Sequence, residues 1–284
     1  MLYSSFANPA ENVVKLADSP TASKSMSVPD RPGSLPASRI CPIFSKVKNP
    51  IRNTYRQLYE HFGPQGWWPT TPPGDIRARY YPGTARLLDE PQQWEIIVGA
   101  VLTQNTAWRN VEQALEALSA HQALELAALH ALEVDELAAL IRPSLYYNQK
   151  ARRLQDIASY IIENYCGSVA ALLRRPAPPL RRELLSLKGI GPETADSILL
   201  YAAGYPFFVV DAYTRRISSR LGLVAEDATY TELQALFMDK LPSDSDLFNE
   251  YHALLVRHAV TYCKKNPRCD SCFLKSHCRY ANKA

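Results

Sequence analysis

Two stretches of this sequence carry residue types spaced for chemistry. In the first, Leu187-Lys188-Gly189-Ile190-Gly191-Pro192-Glu193-Thr194-Ala195-Asp196 is followed, twenty residues past its second glycine, by Asp211. Glycines one residue apart let the backbone turn tightly, accept positive φ and expose successive N–H groups. Pro192 suits a first helical position, which needs no N–H of its own. An Ala-rich helix to about Ala203 follows, so the predicted unit is helix, hairpin, helix, with amides able to hold a phosphate oxygen. Asp211 ends the apolar run Pro206-Phe207-Phe208-Val209-Val210, which puts a carboxylate at the lip of something buried. Singly, each has a plainer reading: a turn for the glycines, a helix N-cap for the aspartate. Their order and spacing together carry more.

The second stretch holds Cys263, Cys269, Cys272 and Cys278, four of the six cysteines within sixteen residues. Gaps of five, two and five residues can gather four thiolates around one centre. No signal-peptide pattern accompanies them, and clustered cysteines without one bind metal more often than they pair. Zinc accepts four thiolates and so does an iron–sulfur cluster, and spacing alone leaves both open. Cys41 and Cys166 stand apart and read as ordinary thiols.

These residues need elements to position them, and the chain supplies mostly helices. Its 284 residues, 46% of them hydrophobic, suffice for a large core, and the net charge is +4. The mildly basic pI of about 8.7 permits a nucleic-acid partner without requiring one. The distribution of charge is more informative. Lys150, Arg152 and Arg153 cluster, as do Arg174, Arg175, Arg181 and Arg182, and Lys264, Lys265, Arg268, Lys275, Arg279 and Lys283 surround the cysteines. No apolar run is long enough for a membrane span, and a cytoplasmic protein, nucleoid-associated in a bacterium, is expected.

Residues 1–45 are rich in Ser, Pro, Ala and Asn and read as a disordered extension. From Pro50 the periodicity is helical. Helices are predicted over Pro50 to Phe62, from Pro91 through Val101, over Thr106 to Leu118, as two short pieces in Leu124 to Ile141, and over Tyr147 to Tyr165. Others follow at about Pro179 to Ser186, Ala212 to Leu221, Tyr230 to Leu241 and Leu247 to Tyr262. Gly63 to Gly83 reads as a Pro-rich loop holding Trp67 and Trp68. Nothing alternates as strands, and no internal repeat is present.

The hairpin with its aspartate resembles the endonuclease III, or helix-hairpin-helix, superfamily of DNA glycosylases, over roughly residues 50 to 280. Val98 to Thr106, with Gln104-Asn105-Thr106, resembles that family's helix and Gln-x-Thr loop, and Tyr146 to Ala151 resembles its Tyr-Asn-x-Lys-Ala segment. The cysteine loop resembles the family's [4Fe–4S] loop, with one residue fewer between the first two cysteines. The resemblance implies an all-α fold of two lobes flanking a DNA cleft. One is a helical barrel over residues 80–200; the other joins residues 46–79 to 201–284 and carries the cluster on Cys263, Cys269, Cys272 and Cys278.

It further implies a monomer that binds double-stranded DNA, flips out a damaged base and hydrolyses its N-glycosidic bond. Asp211 takes the catalytic role. Gln104, Asn105, Lys150, Lys188, Gly189, Gly191 and Thr194 contact DNA, with a monovalent cation at the hairpin. Gln104 fills the gap left by the base, and Trp67, Trp68 and Glu193 are pocket candidates. Glu193, two residues past Gly191, stands where bifunctional relatives carry a nucleophilic lysine. A carboxylate forms no Schiff base, so a monofunctional enzyme is expected, nearest the branch that releases alkylated purines such as 3-methyladenine. For Glu193 itself, a helix cap is the favoured local role. His252 and His258, among apolar neighbours, read as structural. Three alternatives stay open: a glycosylase or lyase for oxidised pyrimidines or mismatches, a non-catalytic damage-binding protein, and a zinc-loop DNA-binding module.

Overall fold

A computed structural model of the chain describes residues 49–84 and 87–283; the predicted extension lies outside them. These residues fold almost entirely as helices: α1 Pro50–Phe62, α2 Glu90–Leu102, α3 Trp108–Ala120, α4 Leu126–Ala131, α5 Val134–Leu140, α6 Tyr147–Tyr165, α7 Val169–Leu173, α8 Ala177–Ser186, α9 Pro192–Ser197, α10 Ala212–Leu221, α11 Tyr230–Lys240 and α12 Ser245–Thr261. Among the described residues the one extended pairing is an isolated bridge between Thr70 and Arg79. The all-α expectation holds.

Local chemistry sets the ends. Asn49 caps α1, its side chain accepting from the Ile51 and Arg52 amides at 3.0 and 3.3 Å, and Pro50 fills the position needing no donor. Ile51, Thr54, Tyr55 and Leu58 form its buried face, at the spacing that aligns residues on one side of a helix. Asp89 and Gln92 make a reciprocal capping box on α2. That helix is buried from Trp94 to Leu102, as expected of an element covered on all sides. Helix α7 was not predicted from the sequence: five residues are too few to show a period.

The helix after the hairpin is more irregular than expected. Helix α9 ends at Ser197 and continues as a π-helical turn over Ile198–Ala202, fully buried. Such turns widen a helix locally and recur at functional sites. This one touches both α2 and α12, while α1 packs on α11 and α12, and α10 on α12. Helices α3 to α6 associate among themselves, and α2 joins α6 and α7. The core runs through these groups as one apolar cluster, from Leu58 and Trp94 to Phe208 and Leu254. Asp211 and Tyr201 sit where α10, α12 and the π turn meet.

Beneath the hairpin lies a buried polar brace. Asp196, fully inaccessible, accepts from Arg181 Nε at 2.6 Å and Nη2 at 3.0 Å, from Tyr230 at 2.7 Å and from Gln234 at 2.7 Å. A buried carboxylate has its lone pairs satisfied by this many donors. It fixes α8, α9 and α11 to one another. Arg181, grouped in sequence with a basic run, is committed to Asp196 through two hydrogen bonds.

Candidate active site

Asp211 reaches its position because α10 starts there. One carboxylate oxygen, Oδ1, accepts from the Thr214 amide at 2.6 Å and caps the helix. The other, Oδ2, lies 3.7 Å from Nε2 of His252. The two oxygens of this carboxylate thus have different partners, one the helix amide and the other the His252 ring. Burial pushes the Asp211 pKa up, but His252 and the Thr214 amide outweigh it, and the group is held below the ordinary carboxylate range.

His252 is 8% exposed. Its Nδ1 lies 2.6 Å from the hydroxyl of Tyr201 on the π turn, and its Nε2 has no hydrogen-bond partner among the described residues. The order Tyr201, His252, Asp211 orients the ring toward the carboxylate. The sequence reading of His252 as structural missed this. Its neighbours Tyr251, Ala253, Leu254 and Leu255 are buried and hide a polar ring inside an apolar segment; no spacing rule connects it to Tyr201 or Asp211.

Glu193 lies in the first turn of α9, but Gly191 occupies the cap position and no side-chain cap bond forms. The expected capping role is therefore not found. The residue is exposed. Burial, and then the Asp211 charge, raise its pKa to about 7, against a smaller opposing pull from His252.

The hairpin and the Gln104 loop come together. Gln104 Nε2 donates to Thr194 Oγ1 at 2.8 Å and to the Gly189 carbonyl at 3.2 Å. Arg153 donates to Gln104 Oε1. Gly189 has φ +84°, the left-handed region that favours glycine, and the Arg153 side chain lies over it. Lys188, Gly189 and Gly191 are exposed, as is Asn105, whose φ is 54°. Leu145 and Tyr146, also exposed, both have positive φ. A leucine held on such a backbone and more than a third exposed is unusual, and no spacing in the sequence marks it.

Lys150 departs from its expected place. It is 2% exposed, and Nζ donates to the carbonyls of Leu102 at 2.8 Å and Ser144 at 2.6 Å. Burial, then Arg153, lowers its pKa to about 8. Its amine ties the end of α2 to the segment before α6, and so positions the Gln104 loop from inside instead of meeting a phosphate. Of the two tryptophans, Trp68 is 7% exposed and packs so closely on α2 that a Cβ at Gly99 would lie 2.9 Å from its ring. Trp67 is partly exposed. The two rings cluster with Trp108 at 4.5 and 5.1 Å, and Trp68 with Tyr201 at 5.1 Å.

Cys263, Cys269, Cys272 and Cys278 line one concavity together with Arg220, His258, Leu274 and Tyr262. All four are free thiols. Burial, then the neighbouring thiols acting through their charge, raise the Cys272 pKa. No three potential ligands among the described residues converge on a single ion position. Cys166 is an exposed free thiol elsewhere, and Cys41 lies outside the described residues.

This geometry agrees with what the chain resembles. Residues 98–243 match the model of the HhH-GPD superfamily base excision DNA repair protein. The chain belongs to that superfamily. Its enzyme class, DNA glycosylase, comes with the family. A "Putative DNA repair glycosylase MJ1434" of Methanocaldococcus jannaschii is 42% identical over 230 residues, covering 80% of this chain and 95% of the relative. Among solved structures, a trapped endonuclease III–DNA covalent intermediate superposes with a TM-score of 0.64 at 24% identity, over 84% of this chain and 98% of that one; it speaks for the fold. The 3-methyladenine DNA glycosylase of H. pylori (MagIII), bound to 1,N6-ethenoadenine, superposes with a TM-score of 0.56 at 28% identity, over 74% of this chain and 93% of that one. No helix among the described residues is long and apolar enough to cross a membrane.

Proposed function

We propose that this protein is a monofunctional glycosylase acting on damaged, chiefly alkylated, purines in double-stranded DNA, cutting the base from the sugar by hydrolysis. The observation that carries the reading is the site itself: a carboxylate at Asp211, and a carboxyl at Glu193 where a lyase needs an amine. A target base must leave the stack to reach such a cleft. Exposed hairpin amides around Gly189 and Gly191 suit a backbone phosphate. Gln104 and the exposed side chain of Leu145 suit the space vacated by the base, since apolar wedges support an unstacked step. Asp211 stabilises positive charge developing on the sugar and accepts a proton from the attacking water. The partly exposed ring of Trp67 is the better placed of the two tryptophans to stack on a base.

The helices group as two lobes in this reading, with the cleft at the π turn. The cysteines fit a [4Fe–4S] cluster. Four thiolates spread around a concavity, with Arg220 beside them, suit a group that takes one thiolate per iron better than one tetrahedral ion. Bound, the cluster would fix the loop. No reaction step is assigned to it. A monovalent cation at the hairpin belongs to the same reading, and no reaction step is assigned to it either.

The experiment is base release from methylated DNA, alongside duplexes carrying uracil, thymine glycol or a mismatch, each read with and without alkali. Release of methylated purines with strand breaks only after alkali is the expected result. Breaks without alkali would refute the monofunctional assignment. Binding without release from any duplex would favour a damage-binding protein instead.

A further inference from the structure

The segment from Gln65 to Thr71, which carries Trp67 and Trp68, is fastened at both ends by carboxyls from different helices. At its start the Gln65 amide donates to Glu250 of α12 at 2.8 Å. At its end Glu95 of α2 takes two hydrogen bonds from one residue. The Thr71 amide donates to Oε2 at 2.8 Å and the Thr71 hydroxyl to Oε1 at 2.7 Å. Glu95 is 2% exposed. A carboxyl taken this far from water is costly to bury, and both of its oxygens serve the loop. Between the anchors the backbone has little room. Gly66 has φ +69°, and a Cβ there would lie 2.4 Å from the backbone nitrogen of Pro82. Thr70 is fully buried and exchanges backbone hydrogen bonds with Arg79 at 3.3 and 3.0 Å. Trp68 seats its ring on Gly99, one helical turn past Glu95 on the same side of α2.

This fastened segment adjoins Asp211 through a short chain of contacts. The rings of Trp68 and Tyr201 are 5.1 Å apart, Tyr201 lies 2.6 Å from His252, and His252 lies 3.7 Å from Asp211. Trp67 stands against Trp68 at 5.0 Å and Trp108 at 4.5 Å, with part of its surface exposed.

We propose that Glu95 is a positioning residue for base recognition, which fixes Trp67 as a rigid wall against which a flat, flipped-out purine stacks. This rests on the glycosylase reading, with Trp67 as the stacking ring, and adds the group that sets where that ring stands. A wall ordered in advance spares the complex the cost of ordering it when the base arrives. A loop released at Thr71 would bear that cost at every encounter. The penalty would fall on capture of the base and not on the hold of the hairpin amides on the DNA backbone.

The test compares the full chain with Glu95→Ala, Glu95→Gln, Trp67→Ala and the double variant Glu95→Ala/Trp67→Ala. Two quantities are measured: single-turnover release from a duplex carrying 7-methylguanine at subsaturating protein, and affinity for the same duplex carrying a tetrahydrofuran abasic site, which has no base to stack. Glu95→Ala should lower release about 30-fold, the range of one lost base–aromatic stack, with abasic-site affinity within about twofold of wild type. Glutamine keeps an oxygen for the Thr71 amide and should restore release to within about threefold. Trp67→Ala should cost about as much as Glu95→Ala, and the double variant little more than either, because coupled residues do not add. Thermal melting shows whether Glu95→Ala folds. Thr71→Val, which removes one donor and keeps the amide, replaces it otherwise, with a loss of about fivefold.

Losses that multiply in the double variant, or a fall in abasic-site affinity that matches the fall in release, would overturn the inference and leave the glycosylase reading standing. A wild type that releases no base would overturn that reading instead. Tryptophan emission then decides the position of the ring: acrylamide should quench Glu95→Ala more than wild type, and the difference should vanish when both also carry Trp67→Phe. Equal quenching of Glu95→Ala and wild type would overturn the inference by itself.

Discussion

The guanidinium of Arg220 lies 3.4 Å from the sulfur of Cys263, on the same helix that Asp211 caps. Arg220 also donates to the carbonyls of Lys264 at 2.6 Å and Lys265 at 3.1 Å, and Arg216 of that helix donates to the Cys263 carbonyl at 2.8 Å. Tyr280 stacks on the Arg220 guanidinium at 4.7 Å. Helix α10 is thus a strut with the Asp211 carboxylate at its N-cap and the cysteine loop along its last two turns.

Loosening the loop should therefore loosen α10. A purified preparation should absorb near 400 nm (an approximate value) if the thiolates hold iron and sulfide. Cys269→Ser should bleach that absorbance and lower the melting temperature by several degrees. Arg220→Ala removes three donors while leaving every thiol in place, so its colour should remain but fade faster under oxidant or chelator. A colourless wild type that contains zinc would refute the cluster.

Asp211→Asn keeps an oxygen able to accept from Thr214 but removes the charge. Base release should fall by at least about a thousandfold, beyond what a lost hydrogen bond explains, while affinity for damaged duplex changes little. Retained release would remove Asp211 from the mechanism. His252→Phe is the companion variant: the ring volume stays, the contacts to Tyr201 and Asp211 go, and the acid limb of the rate profile should move upward as Asp211 loses the partner that holds its pKa down.

Glu193→Lys places an amine two residues past the hairpin's second glycine, where a lyase needs one. Borohydride should trap a covalent protein–DNA adduct with the variant, which wild type should not form, because only an amine makes the reducible imine. Absence of an adduct in a variant that still releases base would show that position 193 does not reach the sugar.

Sequence and structure agree best where backbone chemistry is local. Gly189 is legible because a tight turn at positive φ leaves little choice of residue, and Asp211 because an apolar run ends at a capping carboxylate. Helices α1, α6 and α10 show at their observed ends because caps and long amphipathic faces mark them. What stays hidden depends on tertiary neighbours. Lys150 reads as surface because lysine is rarely buried; two carbonyls from separate segments hold it inside. Glu193 reads as a cap, and Gly191 takes that position with no side-chain cap bond formed.

The same logic makes stability depend on pH through Glu250. Its Oε1 accepts from the Gln65 amide at 2.8 Å and so anchors the segment leading into Trp67 and Trp68. Burial raises its pKa from 4.5 to about 7, against the pull of the Gln65 and Gly66 amides. The folded chain therefore keeps a proton that the unfolded chain releases, and stability from this group is full below about pH 4.5 and lost as pH rises through about 7. Glu193 adds a contribution of the same sign. Glu250→Gln preserves an acceptor for Gln65 and abolishes the charge, so the variant should be more stable than wild type at pH 8 by up to about 2–3 kcal/mol and nearly equal to it at pH 5. Urea unfolding at the two pH values measures both differences. A variant less stable than wild type at pH 8 would mean that the ionised carboxylate, not its burial, holds this loop.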